Sequence, residues 1–322
     1  MKTLKVLLVL TLCCVAIVAV ASQSRLAKNA FYAVFYERQY DAYSQTDTTP
    51  DDDAVSTSAT SGDAALLSAF YGIDNALPLL ASRVICKGAR GQDGMPVIFS
   101  HELDPKTVEP GDFRVVTRTG VPGSVACLTL APADDNGELR TVLLVGQFGN
   151  NVDQPVSVEV VGNVLSWDRR LNFKGVDVRV TPLEAGPSLV RAEVVPKADW
   201  SLGQPATGIP FGGGSGCPLG TKQIVRVTWE GGVTKPSGED ADQKDAALYA
   251  LTFIGQDGVI RQGGPFALAD LGDGDNNHKL CIDTNDQITS VSFPAGYLTD
   301  PRDDLNPATT IAITSSESPR IP

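Results

Sequence analysis

The sequence predicts a mainly β protein with two antiparallel β-sandwich domains after a short N-terminal helical segment. Three observations carry this. Short runs rich in Val, Ile, Leu and Thr recur from residue 79 to the end, separated by Gly, Pro, Asn and Asp; several of them alternate apolar with polar; and the chain holds 31 Gly and 21 Pro. At 322 residues, 42% hydrophobic and 20% charged, it is long enough for two ordinary domains.

Residues 1–21 have the three parts of a secretory signal: Lys2 and Lys5, the apolar run VLLVLTLCCVAIVAV, and AVA ending at Ala21. Cleavage there shifts the formal charge from −12 to −14, because two lysines leave. An acidic exported chain argues against nucleic-acid partners, which need positive charge supplied by the protein, and the mature chain has no membrane span. The compartment is secreted, extracellular or, in a bacterium, periplasmic. An extracellular protein or a glycan is the expected partner.

Residues 22–63 read as a helix followed by a disordered acidic linker. Phe31, Phe35, Tyr32, Tyr36 and Tyr40 recur at helical spacing, whereas Ser44 to Asp63 has almost no large apolar residue. GDAALLSAFYG, with Asp63 as cap and Gly72 as stop, predicts a second short helix. Eight strands follow between Leu79 and residue 196, from SRVICK to SLVRAEVV, closing a first sandwich over 64–196. In VSVEVVG, alternation would turn Val156, Val158 and Val160 to the core and Ser157 and Glu159 to water. Residues 197–221, rich in Gly and Pro, read as a connection, and 222–322 as a second sandwich.

With Cys13 and Cys14 removed in the signal, Cys86, Cys127, Cys217 and Cys281 remain. An oxidising compartment makes two disulfides of four cysteines, and sequence order favours Cys86 with Cys127 and Cys217 with Cys281.

The stretch PVIFSHELDPKTVEPGDFRVVTRTG, 96–120, resembles the opening of bacterial Ig-like domains through Asp104, Pro105, Thr107, Val108, Asp112 and Phe113. The resemblance implies Ig-like sandwiches, and with them spacers, adhesion units or binding modules. It carries no catalytic residue.

The densest polar stretch is DLGDGDNNHKLCIDT, 270–284. Oxygen ligands on a backbone that turns tightly suit calcium, with Asp270, Asp273, Asp275, Asn277 and Asp283 as the candidate set. His278 stands where an EF-hand needs glycine and Thr284 where it needs glutamate, so the stretch is either another kind of calcium loop or an Asp/Asn/Gly-rich turn. His278 beside Asp270 or Asp283 also suggests a general base, with Ser215 in GGGSGCP as nucleophile, although the nucleophile elbow lacks its last glycine. With only two histidines, and His101 without an HExxH partner, a zinc hydrolase would lean on carboxylates. The sequence therefore carries two readings: a secreted noncatalytic β-sandwich protein for binding, adhesion or structure, stabilised by calcium if the loop holds it, or an exported hydrolase with a carboxylate-based or metal-assisted site.

Overall fold

The computed structural model describes residues 63–79, 81–206, 214–272 and 274–314. The signal, the aromatic stripe of 26–43, nearly all of the acidic linker and Asp273 lie outside the described residues.

The protein is mainly β. In its first half, seven strands form one sheet: β1 (Leu66–Phe70), β2 (Asp93–Phe99), β3 (Phe113–Thr117), β4 (Ser124–Thr129), β5 (Thr141–Gln147), β6 (Pro155–Val160) and β7 (Asp177–Thr181), in the order β3-β6-β7-β1-β2-β5-β4. The ends of this order meet, because Gly123 just before β4 donates its N–H to Val115 O of β3 at 2.8 Å. The sheet thus curls almost into a barrel around Val97, Phe99, Val115, Leu144, Val158 and Phe173, with Phe99 and Phe173 edge to face at 4.9 Å. Two facing antiparallel sheets were expected here. The arrangement differs in both respects, since β1 pairs with β7 in parallel, Ala69 opposite Val180.

GDAALLSAFYG is not a helix; it supplies strand β1. The reason is its central place in the sheet, with Leu66, Ser68, Ala69 and Phe70 all buried. A strand buried on both faces loses its period-two signature, and a short apolar run is then indistinguishable from a helix by periodicity. SRVICK in turn provides a single helical turn, α1 (Ala81–Val84), rather than a strand. Val158 and Val160 are in the core, but Val156 is 41% exposed. The β3–β6 register slips at that point, pairing Val116 with Ser157 and Thr117 with Pro155, so Val156 is the extra residue of a bulge and points outward.

The motif resembling Ig-like openings forms two short 3-10 turns. Asp104 caps the first, accepting from Lys106 N at 3.1 Å, and Thr107 donates to Asp104 O at 2.8 Å. Glu109 and Asp112 close a capping box on the second, which feeds Phe113 into β3.

The second half has two four-stranded sheets that face each other. One is β12 (Ala267–Ala269), β13 (Asn277–Ile282), β9 (Gln223–Trp229) and β8 (Leu189–Val194); the other is β11 (Ile260–Gly263), β10 (Ala250–Ile254), β14 (Gln287–Phe293) and β15 (Thr309–Ala312), each in that spatial order. Trp229, Tyr249 and Phe293 form its aromatic centre, with ring centroids 5.0 and 4.7 Å apart about Phe293. Strand β8, grouped by the sequence with the first set, pairs with β9 instead. Residues around 197–221 are packed rather than loose where they are described. Trp200 donates Nε1–H to Val195 O at 3.0 Å, and Cys217 lies in a small cluster with Val195, Ile224, Ala269 and Cys281. Both expected disulfides are present, Cys86–Cys127 and Cys217–Cys281.

Candidate functional site

The polar stretch around Asp270 is the turn from β12 into β13. Asp270, Gly272 and Gly274 take positive φ values of 61°, 89° and 80°, the left-handed conformation that Asp and Gly adopt most readily among these residues. The turn then delivers β13 with strict alternation. Asn277, Lys279 and Cys281 point to one face, His278, Leu280 and Ile282 to the other.

The first of these faces carries a row of charges. Glu193 of β8 lies opposite Arg226 of β9, Arg226 opposite Lys279 of β13, and Lys279 opposite Ala269, next to Asp270. Water would normally cover such a row. Here the first half of the chain does, bringing Glu102, Glu138 and Arg140 down onto it, and Glu138, Arg140, Arg191, Glu193, Arg226 and Asp270 are all buried.

The contacts are specific. Arg226 Nε lies 3.3 Å from Glu138 Oε1 and Nη1 3.5 Å from Glu193 Oε1. The same guanidinium donates to Gly137 O at 2.6 Å and to Asn136 O at 2.8 Å. Glu193 is also held by Arg140 at 3.4 Å and Arg191 at 2.8 Å, and both arginines donate to Ser100 O at 2.9 Å. Lys279 Nζ sits 2.8 Å from Asp270 and 3.6 Å from Glu138. Glu102 accepts from Leu139 N at 3.2 Å. Four acids, Glu102, Glu138, Glu193 and Asp270, thus meet four bases, Arg140, Arg191, Arg226 and Lys279. Gly137 has no substitute at this point: its φ is +90°, and a Cβ there would collide with the Arg226 guanidinium.

Electrostatics follow the geometry. Burial alone would raise the Glu193 carboxyl, but Arg140, Arg191 and Arg226 outweigh it and hold the group below its ordinary value. Asp270 is likewise held down against burial, chiefly by Lys279. Glu138 is pushed up by burial and by the neighbouring Asp270.

On the opposite face of β13, His278 is buried in the second core. Trp229 Nε1–H donates to the Tyr249 hydroxyl at 3.1 Å, and that hydroxyl lies 2.7 Å from His278 Nδ1. The Tyr249 hydroxyl thus joins Trp229 and His278 in one buried hydrogen-bonded chain. Burial holds His278 down at about 4, so it stays neutral.

Of the residues proposed for calcium, Asp273 lies outside the described residues. Asp270 faces Lys279. Asp275 accepts from Asn277 N at 2.8 Å and Asn277 Nδ2 at 2.7 Å, and Asn277 Oδ1 accepts from Thr228 at 2.8 Å. Asp283 is exposed just past the far end of β13, six residues from Asn277 and so about 20 Å along the strand. Among the described residues, no group of three or more His, Cys, Asp or Glu is arranged to hold a metal ion. The Ser215 carbonyl accepts from Asp270 N at 2.9 Å. Among the described candidates of this turn, Asp270 is engaged by the Lys279 ammonium and Asp275 and Asn277 by N–H and O–H donors.

Sequence reading singled out Asp270 and His278 but missed Glu138, Glu193 and Arg226. The available signal was a pair of opposite charges two residues apart, Arg191 and Glu193, within an otherwise apolar strand.

No protein-family model matches the chain, and no curated protein does. Among solved structures, the chain is similar to the N-terminal part of the bacterial S-layer protein SbsC at 10% identity and a TM-score of 0.26, over 78% of this chain and 44% of that one. It is also similar to the S-layer protein rSbsC(31-844) at 12% identity and a TM-score of 0.27, over 79% and 41%. The chain spans less than half the length of either, and TM-scores at this level show no shared fold.

Proposed function

We propose that the chain is an exported, noncatalytic β protein that serves outside the cell as a binding or structural module. The observation that carries this reading is the commitment of its catalytic-looking groups to internal partners: Asp270 to Lys279 and His278 to Tyr249. Two disulfides support an oxidising compartment. Among the described residues, no helix is long and apolar enough to cross a membrane.

The hydrolase alternative requires His278 to gain a proton from a substrate. A side chain buried in the second core and hydrogen-bonded to Tyr249 is badly placed for that. Full-length protein assayed against ester, peptide and glycoside probes is expected to give no turnover above buffer. Turnover that disappears in His278→Gln would overturn the noncatalytic reading.

We also propose that the turn at 270–277 serves the fold rather than a cation. Millimolar calcium is expected to leave the melting temperature unchanged. A rise that is abolished by Asp275→Asn would reverse this.

A further inference from the structure

The charge row sets three arginines beside one primary amine, Lys279, and that amine stands against two carboxyl groups. Nζ lies 2.8 Å from Asp270 Oδ2 and 3.6 Å from Glu138 Oε1. A carboxyl C–O bond adds about 1.2 Å, so Nζ is no more than about 4 Å from Asp270 Cγ. A nucleophile attacks from about 3–3.5 Å. Oδ2 makes no aligned hydrogen bond in spite of this approach. Asp270 reaches the amine through its backbone. Its neighbour Ala269 pairs with Lys279, parity would turn residue 270 to the opposite face, and a φ of +61° brings the carboxyl back.

Water is largely kept out. Asp270 and Glu138 are buried, and the Lys279 side chain is 17% exposed. The chain at Gly214 lies on the carboxyl, since a Cβ built there would fall 2.6 Å from Asp270 Oδ1. Burial and the facing Asp270 push Glu138 up, and a proton held there hydrogen-bonds Asp270. In water an amine and a carboxylic acid remain hydrated ions, and water reverses their condensation. A fixed, buried pair escapes both restraints: fixed geometry acts as an effective concentration of about 10⁵–10⁸ M, and desolvation makes the neutral amine and acid accessible from the ion pair. Lys235 and Asp242 provide the contrast. They approach to 2.9 Å, but the aspartate side chain is 47% exposed, so that pair stays ionic.

We propose that Lys279 and Asp270 join in an intramolecular amide bond, with Glu138 relaying the protons. One proton passes from the ammonium to the carboxylate, giving amine and acid. Nζ attacks Cγ, a C–N bond forms, and the carbonyl electron pair moves onto oxygen. Glu138 takes a proton from the nitrogen on one oxygen and gives its own to the departing hydroxyl from the other. The C–O bond breaks as the carbonyl re-forms, one water leaves, and Glu138 ends as it began. No oxidant or further reactant is needed. The bond fastens the end of β12 to β13 two residues from Cys281, which is itself tied to Cys217. The role given above does not depend on it; failure here would leave the noncatalytic reading intact.

The test purifies the folded, full-length exported protein, then reduces, alkylates and digests it with trypsin for mass spectrometry. Asp270 and Lys279 both lie between Arg261 and Arg302, with no other Lys or Arg in that span. The expected product is the peptide 262–302, uncut after Lys279 and lighter than its sequence by one water, about 18 Da. Hydroxylamine, which opens a cyclic imide such as one at Asp273-Gly274, is expected to leave that mass loss unchanged. The peptide 227–244, which holds Lys235 and Asp242, is expected to keep its full mass. Lys279→Arg is expected to restore cleavage and full mass, and Glu138→Gln to leave fewer than about one chain in ten condensed. Cleavage after Lys279 at full mass, reversal of the loss by hydroxylamine, or a loss that survives in Lys279→Arg would each overturn the proposal. Full condensation in Glu138→Gln would overturn the part given to Glu138. If either variant fails to fold, the peptide of the unmodified protein decides alone.

Discussion

Arg226→Met is expected to lower the unfolding free energy by about 3–5 kcal/mol, the range observed when one partner of a buried ionic network is removed. Arg226 is 4% exposed and reaches two carboxylates and two backbone carbonyls, so its loss leaves Glu138 and Glu193 facing each other with less positive charge and the Gly137 and Asn136 carbonyls without this donor. The methionine stem fills most of the volume, which isolates the electrostatic part. Adding Glu193→Leu is expected to recover less than half of the loss, because one uncompensated carboxylate is removed while Arg140 and Arg191 lose a shared partner. The readout is the urea midpoint at constant slope. A loss below about 1 kcal/mol would mean that the cluster is solvated and behaves as an ordinary surface array.

The second large effect is a pH dependence from His278. Its folded value is held down at about 4 by burial, against an ordinary 6.5 in the unfolded chain. Between those values the unfolded chain binds a proton that the folded one does not. Stability is therefore fully present above about pH 6.5 and declines as pH falls to 4, by about 3 kcal/mol at 1.36 kcal/mol per unit. Glu193 titrates in a different window. Its folded value lies below the ordinary 4.5, so its contribution is present above 4.5 and is lost only as pH falls further. His278→Gln keeps a hydrogen-bonding amide beside the Tyr249 hydroxyl and removes the titration, and its stability profile between pH 6.5 and 4 is expected to be flatter than that of the unmodified protein. An unchanged slope would mean that His278 is solvated in the folded state.

The mainly β class, most strands from β2 onward and both disulfides were legible in the sequence, because alternation and turn residues are local properties. The failures have physical causes at particular residues. Strand β1 is buried on both faces, so Leu66 to Phe70 reads like a helix. Val156 is displaced by a bulge whose cause lies in the partner strand. Arg191, Glu193, Arg226 and Lys279 alternate with core residues as a solvated face would, and only the approach of Glu138 and Arg140 from the first half, 51 or more residues away in sequence, buries them. His278 looked chemical because histidine next to aspartates usually titrates near neutrality. Its orientation, away from the charge row and into the aromatic core, follows from strand parity once β13 is placed against β9.

These contacts join the two halves. Beside the charge row, Glu230 of the second half accepts from Ser68 at 3.2 Å and Thr181 at 2.7 Å of the first, and Asn276 lies 3.3 Å from Thr141. A chain tied in this way should unfold as one unit even though it holds two separate apolar cores. Differential scanning calorimetry of the full chain tests this most directly. The account predicts a single transition whose calorimetric and van't Hoff enthalpies agree; two resolved transitions, with the lower one unaffected by Arg226→Met, would contradict it.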